Sequence, residues 1–108
     1  EAAITKAASE ILKSFGYNVL TATCTNDAIK TAEEYDDNIN VLITDMIMPD
    51  MNGKELADKI SHIYPKIKTL FISGYYSDIL SSQNEEYFLQ KPFSMNELAN
   101  KVGMILKD

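Results

Sequence analysis

The chain contains no arginine. Its 10 lysines stand against 16 acidic residues, for a formal net charge of -6. Nucleic acids and anionic membranes are held by clustered basic groups, so neither is expected as a direct partner. A single cysteine, Cys24, excludes an internal disulfide. It is expected as a small buried or half-buried side chain in a reducing, cytoplasmic setting. No apolar run approaches the ~20 residues of a membrane-spanning helix. No signal peptide, internal repeat or low-complexity tract is visible.

What is present suffices for one domain. The chain has 108 residues, 45% of them hydrophobic, enough to build a core rather than a disordered tail. Residues 2–15 read as a helix: Ile4, Ala8, Ile11, Leu12 and Phe15 recur at helical spacing, and Gly16 fits the position after the C-cap. "YNVLTA" (17–22) reads as a short strand. Thr25 or Asn26 can cap a second helix that turns Ala28, Ile29 and Ala32 inward. "NVLIT" (40–44) and "TLFIS" (69–73) read as buried strands around a third helix. That helix starts near Lys54, with Leu56, Ala57, Ile60 and Ile63 on one face. A short helix is expected at 77–82 and a strand at 86–90. The capping box Ser94-Met95-Asn96-Glu97 then opens a last helix, with Leu98, Val102, Ile105 and Leu106 inward.

Strands alternating with helices imply an α/β fold with a parallel sheet covered on both faces. Ligands of such sheets bind at the carboxyl ends of the strands. The run Val41-Leu42-Ile43 stops at Asp45, just past Thr44. Ser73 ends the next strand, and Lys91 follows the last. Singly, each has an ordinary reading as a loop starter, a turn hydroxyl or a solvated lysine. Together, a carboxylate, a hydroxyl and an ammonium at one rim form a phosphoryl-transfer site: the carboxylate attacks phosphorus while the other two stabilise its oxygens.

The stretches "DMIMPDMNG" (45–53), "FISG" (71–74) and "FLQKPFS" (88–94) carry a resemblance over essentially the whole chain. The sequence resembles the receiver domain of two-component response regulators, a flavodoxin-like doubly wound fold with strand order 2-1-3-4-5. "SGY" with "FLQKPFS" is most similar to receivers fused to the C-terminus of hybrid sensor histidine kinases. The resemblance implies that Asp45 accepts a phosphoryl group from a kinase phosphohistidine. It implies that Ser73 is the switch hydroxyl, that Lys91 pairs with the phosphoaspartate, and that the Lys91–Pro92 peptide is cis. Phe88 matches the aromatic coupled to the switch; plain core packing is its other reading. The Ile47 backbone carbonyl and Asp45 would ligate Mg²⁺. Pro49 and Gly53 would shape the adjoining loop. The implied partner is a sensor histidine kinase or a histidine phosphotransfer protein. Met46, Met48 and Met51 are expected to pack, while His62 and Asp50 are expected at the surface.

The pattern departs from the family at its start. Receivers open with a buried strand ending in two metal-holding acids. Here residues 1–4 already read as helix, and Glu1 matches the residue just after that pair, a weak substitute ligand at best. Residues 1–108 are therefore expected to form a single, N-terminally incomplete receiver. The slot beside strand 40–44 is expected to be filled from another chain, by homo-oligomerisation or strand exchange, or to leave a distorted sheet. The stretch between Ser73 and Lys91 is also short for the subgroup, which implies a truncated or irregular helix there. Two other functions fit less of the pattern. One is a phosphorylation-defective pseudo-receiver acting as an interaction module. The other is a haloacid-dehalogenase-type phosphatase, whose proton-transferring aspartate would have to stand at Ile47.

Overall fold

A computed structural model describes residues 2–48, 51–74 and 87–107. The expectations placed on Glu1, Pro49, Asp50 and the helix at 77–82 lie outside the described residues, as does the side chain of Ile4. In chain order the elements are α1 (Ala2–Ser14), α2 (Thr25–Glu34), β1 (Val41–Asp45), α3 (Gly53–Ile63), β2 (Lys68–Ser73), β3 (Tyr87–Gln90) and α4 (Met95–Lys107). The described strands form one parallel sheet in the order β1-β2-β3. No helix among the described residues is long and apolar enough to cross a membrane.

Each face of the sheet carries two helices. Leu12 of α1 and Leu98, Val102 and Ile105 of α4 pack with Leu70 and Ile72 on one side. On the other, Ala32 of α2 packs with Leu56 and Ile60 of α3, and Leu42 lies against them. Side chains of a strand alternate between faces, so Ile43 joins the first cluster while Leu42 joins the second. β2 lies between the other two strands. Leu70, Phe71, Ile72 and Ser73 are all buried, which is why the run "TLFIS" is nearly continuous in apolar residues. The fold is the doubly wound α/β arrangement that the alternating pattern implied.

Residues 17–22 are not a strand, contrary to expectation; they run without a ladder partner between α1 and α2. β propensity and alternation are local properties, but a strand exists only through hydrogen bonds to a neighbour. Among the described residues none pairs with this segment. Tyr17 and Val19 still pack against the first core cluster, whereas Leu20 is exposed.

Three residues expected inward are exposed. Phe15 lies one residue past α1, where Gly16, at φ 90°, turns the chain away. Ile63 is the last residue of α3, past the buried Leu56 and Ile60. Leu106 is turned about 100° round the helix from the fully buried Ile105 and stands next to the last residue of α4. Cys24, expected to be at least half-buried, is exposed. It occupies the N-cap of α2 in place of Thr25 or Asn26 and makes no side-chain cap bond; Thr25 is buried within the first turn.

The start of α3 is tightly specified. Asn52 caps it, accepting from the Glu55 N–H at 2.8 Å, while its amide donates to the Glu55 carboxylate at 2.9 Å. Gly53 then donates its N–H to the Met46 carbonyl at 2.7 Å. A Cβ at Gly53 would collide with the Asp45 backbone carbonyl, so only glycine lets this helix approach the end of β1. Gly53→Ala is expected to destabilise the domain by about 1–3 kcal/mol in urea unfolding, since backbone must move to admit the methyl. Asn52→Ala is expected to cost about 1 kcal/mol in the same measurement through loss of the cap. A neutral Gly53→Ala would contradict the close approach.

Candidate functional site: the carboxyl edge of the sheet

Register decides what meets at the rim. Asp45 lies opposite Ile72, and Ser73 lies opposite Gln90. The Met46 N–H donates to the Ile72 carbonyl at 3.0 Å, and the Lys91 N–H donates to the Ser73 carbonyl at 2.8 Å. The ladder thus continues one residue past β1 and past β3. It brings Asp45, Ser73 and Lys91 to the same edge of three adjacent strands.

Asp45 and Lys91 meet directly. The Lys91 Nζ lies 3.1 Å from the Asp45 Oδ1, with side-chain exposures of 42% and 39%. An ion pair this open to water contributes at most about 1 kcal/mol. It therefore does little for stability, and an entering anion can displace the carboxylate from the amine at small cost. Ser73 is almost fully buried at the end of the central strand. The Lys91–Pro92 peptide is cis.

The loop after β1 is anchored at both ends. Thr44, buried under the rim, donates its hydroxyl to the Asp45 carbonyl at 3.1 Å and approaches the Met48 sulfur at 3.6 Å. Met48 and Met51 pack against the α2–α3 core. Ile47, next to the acid, is 65% exposed. Phe88 is half-buried and stacks on Phe71, with centroids 5.6 Å apart and planes inclined by 30°. His62 is at the surface, its Nδ1 2.7 Å from the carbonyl oxygen of Asp58 one turn earlier, well away from the rim in the chain.

Among the described residues no group of three acidic, histidine or cysteine side chains could enclose a metal ion. Among the described residues the carboxylate at this rim is that of Asp45. Mg²⁺ is commonly held by one or two carboxylates together with substrate phosphate and water, and an Asp45 carboxylate suits that chemistry.

Sequence reasoning passed over three residues. Thr44 reads only as strand, although a hydroxyl buried at the end of a strand needs a local acceptor and so marks the turn. Asn52 was missed although Asn followed three residues later by Glu is a capping signal. Phe71 was read as core, and its pairing with Phe88 follows only from the β2–β3 register.

The model of the response regulator receiver domain matches residues 1–103. The chain is 34% identical over 100 residues to sensor kinase CckA of Brucella abortus, which covers 89% of this chain but only 11% of that kinase. Against the response regulator receiver protein CpdR of the same species it is 30% identical over 99 residues, 88% of this chain and 81% of the relative. The crystal structure of the receiver domain from the hybrid histidine kinase CckA superposes with a TM-score of 0.83 at 34% identity, covering 98% of this chain and 92% of that one. A CheY-like receiver from Methanospirillum hungatei gives 0.84 at 26% identity, covering 99% and 87%. The chain belongs to the response regulator receiver domain family.

Proposed function

We propose that Asp45 accepts a phosphoryl group from a phosphohistidine and that Ser73 and Lys91 convert the new charge into a conformational change. The observation that carries this reading is the Asp45–Lys91 pair at 3.1 Å on the edge that Ser73 also reaches. A nucleophile on a parallel strand is held in place, while the loops beyond it are free to be redrawn.

In the transfer, an Asp45 carboxylate oxygen forms a bond to phosphorus as the P–N bond to the donor imidazole breaks. The electron pair stays on that nitrogen, which takes up a proton. The Lys91 ammonium, already beside the carboxylate, follows the charge onto the phosphoryl oxygens, and the Ser73 hydroxyl donates to another of them. The Asp45 carboxylate and the Ile47 carbonyl are the described groups that would hold Mg²⁺, which would supply charge to offset repulsion between carboxylate and phosphoryl group. A phosphoryl group adds about -1.5 to -2 charges on other side chains. At Asp45 a similar charge draws Lys91 and Ser73 inward, and Phe88, three residues before Lys91, is placed to repack with them.

The same reading makes the chain a signalling module rather than a stand-alone enzyme, served in the cytoplasm by a sensor histidine kinase or a histidine phosphotransfer protein. CckA is named as a sensor kinase, which supports a kinase context. The chain spans about a tenth of that relative's length, so a hybrid-kinase fusion belongs to the proposal. The phosphatase alternative is weakened at Ile47, whose side chain cannot carry a proton.

Phosphotransfer from a phosphorylated histidine kinase, followed on phosphate-affinity gels, tests these roles. Asp45→Ala should abolish labelling, and undiminished labelling would remove Asp45 as the acceptor. Lys91→Ala should still be labelled but should lose the labelling-dependent change in chemical shifts around Ser73 and Phe88.

A further inference from the structure

An aromatic pair lies one step below the rim. Leu70 and Ile72 of β2 and Tyr87 and Leu89 of β3 belong to the α1–α4 side of the sheet. Strand side chains alternate, so Phe71 and Ser73 of β2 and Phe88 and Gln90 of β3 point to the other face. Register sets Phe71 beside Phe88 and Ser73 beside Gln90, with Thr44 of β1 on the far side of Phe71. Thr44, Phe71 and Phe88 thus form a row across three strands, directly beneath Ser73. The ring centroids of Phe71 and Phe88 are 5.6 Å apart and the planes are inclined by 30°, within the range of stacked aromatic pairs.

The two rings are held unequally. Phe71 is 3% exposed on a strand paired along both edges, so its ring is fixed by the core. Phe88 is half-buried on a strand of four residues. That strand ends at Gln90, next to Lys91, whose N–H donates to the Ser73 carbonyl at 2.8 Å. A shift of this end that follows Lys91 toward new charge at Asp45 pulls on two ties. One is the backbone hydrogen bond, which any side chain at these positions would permit. The other is the ring stack, which depends on an aromatic residue at both 71 and 88. A leucine at position 71 would still fill the core but would offer Phe88 no ring face.

We infer that Phe71 is a positioning residue for the conformational change: its fixed ring holds Phe88, and with it the end of β3, against the pull of a phosphoryl group on Asp45. This role rests on Asp45 being the acceptor and adds to that reading a residue outside the phosphoryl site. Stacking shifts a local equilibrium by about three- to tenfold beyond what area burial gives. If phosphorylation must break the stack, the same factor is deducted from the phosphorylation equilibrium, because the two events are linked. Phe71 therefore acts as a brake: it lowers the fraction of chains that carry the phosphoryl group when donor and acceptor exchange it reversibly.

The test is the equilibrium ratio of phosphorylated chain to phosphohistidine, measured on phosphate-affinity gels after exchange with a phosphorylated histidine phosphotransfer protein. Phe71→Leu should raise the ratio by about three- to tenfold. In a Phe88→Leu background the same substitution should leave it unchanged, since no stack remains to be lost. Ile72→Val, on the same strand but the opposite face, should lower the urea midpoint and leave the ratio alone, which separates the brake from loss of stability. Phe88→Leu by itself removes the stack from its half-buried side and should raise the ratio as Phe71→Leu does, so the brake is read even if the core variant does not fold. An unchanged or lowered ratio in the stack variants, or an equal rise from Phe71→Leu with and without Phe88, would overturn the inference and return Phe71 to core packing. If the parent chain takes no label at Asp45, the proposed function fails. The hold of Phe71 on Phe88 is then read from the Phe88 ring resonances of the unlabelled chain: a changed ring-current shift in Phe71→Leu supports it, and unchanged resonances overturn it.

Discussion

β2 exchanges backbone hydrogen bonds with β1 on one side and β3 on the other, and it is buried on both faces. Every relation at the rim passes through it. Its register with β1 sets Asp45 beside Ile72, and its register with β3 sets Lys91 just beyond Ser73. A slip of one residue in either ladder would turn the rim side chains to the opposite face and separate the carboxylate from the amine. The 3.1 Å contact between Asp45 and Lys91 is thus a product of backbone registration, with little stability of its own. Under the proposed phosphoryl transfer, such a weak contact would be exchanged for a phosphoryl group without disturbing the core.

The loop after Asp45 obeys a second constraint. Gly53 must be glycine because α3 begins against the Asp45 carbonyl. Asn52 holds that helix start, and Met48 and Met51 root the loop in the α2–α3 core. These contacts fix the backbone on both sides of the acid and leave Ile47 exposed beside it. An exposed apolar side chain next to a half-exposed acid suits a site approached by a protein partner.

Much of this was legible in the sequence because buried parallel strands announce themselves. "TLFIS" is buried from Leu70 to Ser73 as expected, whereas in "VLIT" only Thr44 is buried and Val41, Leu42 and Ile43 are half-buried; the polar residues that end both strands mark the functional edge. Helices α3 and α4 were readable from their inward stripes, and the Ser94–Glu97 capping box was found with both reciprocal bonds at 3.1 Å. What could not be read was nonlocal. The segment 17–22 has the composition of a strand, yet it lacks a partner to pair with. Phe15, Ile63 and Leu106 fit a helical stripe, but each lies within one residue of its helix's last residue, where exposure is not set by periodicity alone. Cys24 was judged by residue type, whereas its exposure follows from its place at the start of α2. The Asp45–Lys91 distance itself depends on two ladders spanning residues far apart in the chain.

The most direct measurement of the central claim is chemical. An acyl phosphate is reduced by borohydride to the corresponding alcohol, whereas a phosphohistidine or a phosphoserine is not. After phosphotransfer from a histidine kinase, borohydride treatment and peptide mass spectrometry should locate a homoserine at position 45 and at no other aspartate. Reduction at a different carboxylate, or a borohydride-resistant phosphate on His62 or Ser73, would contradict the account.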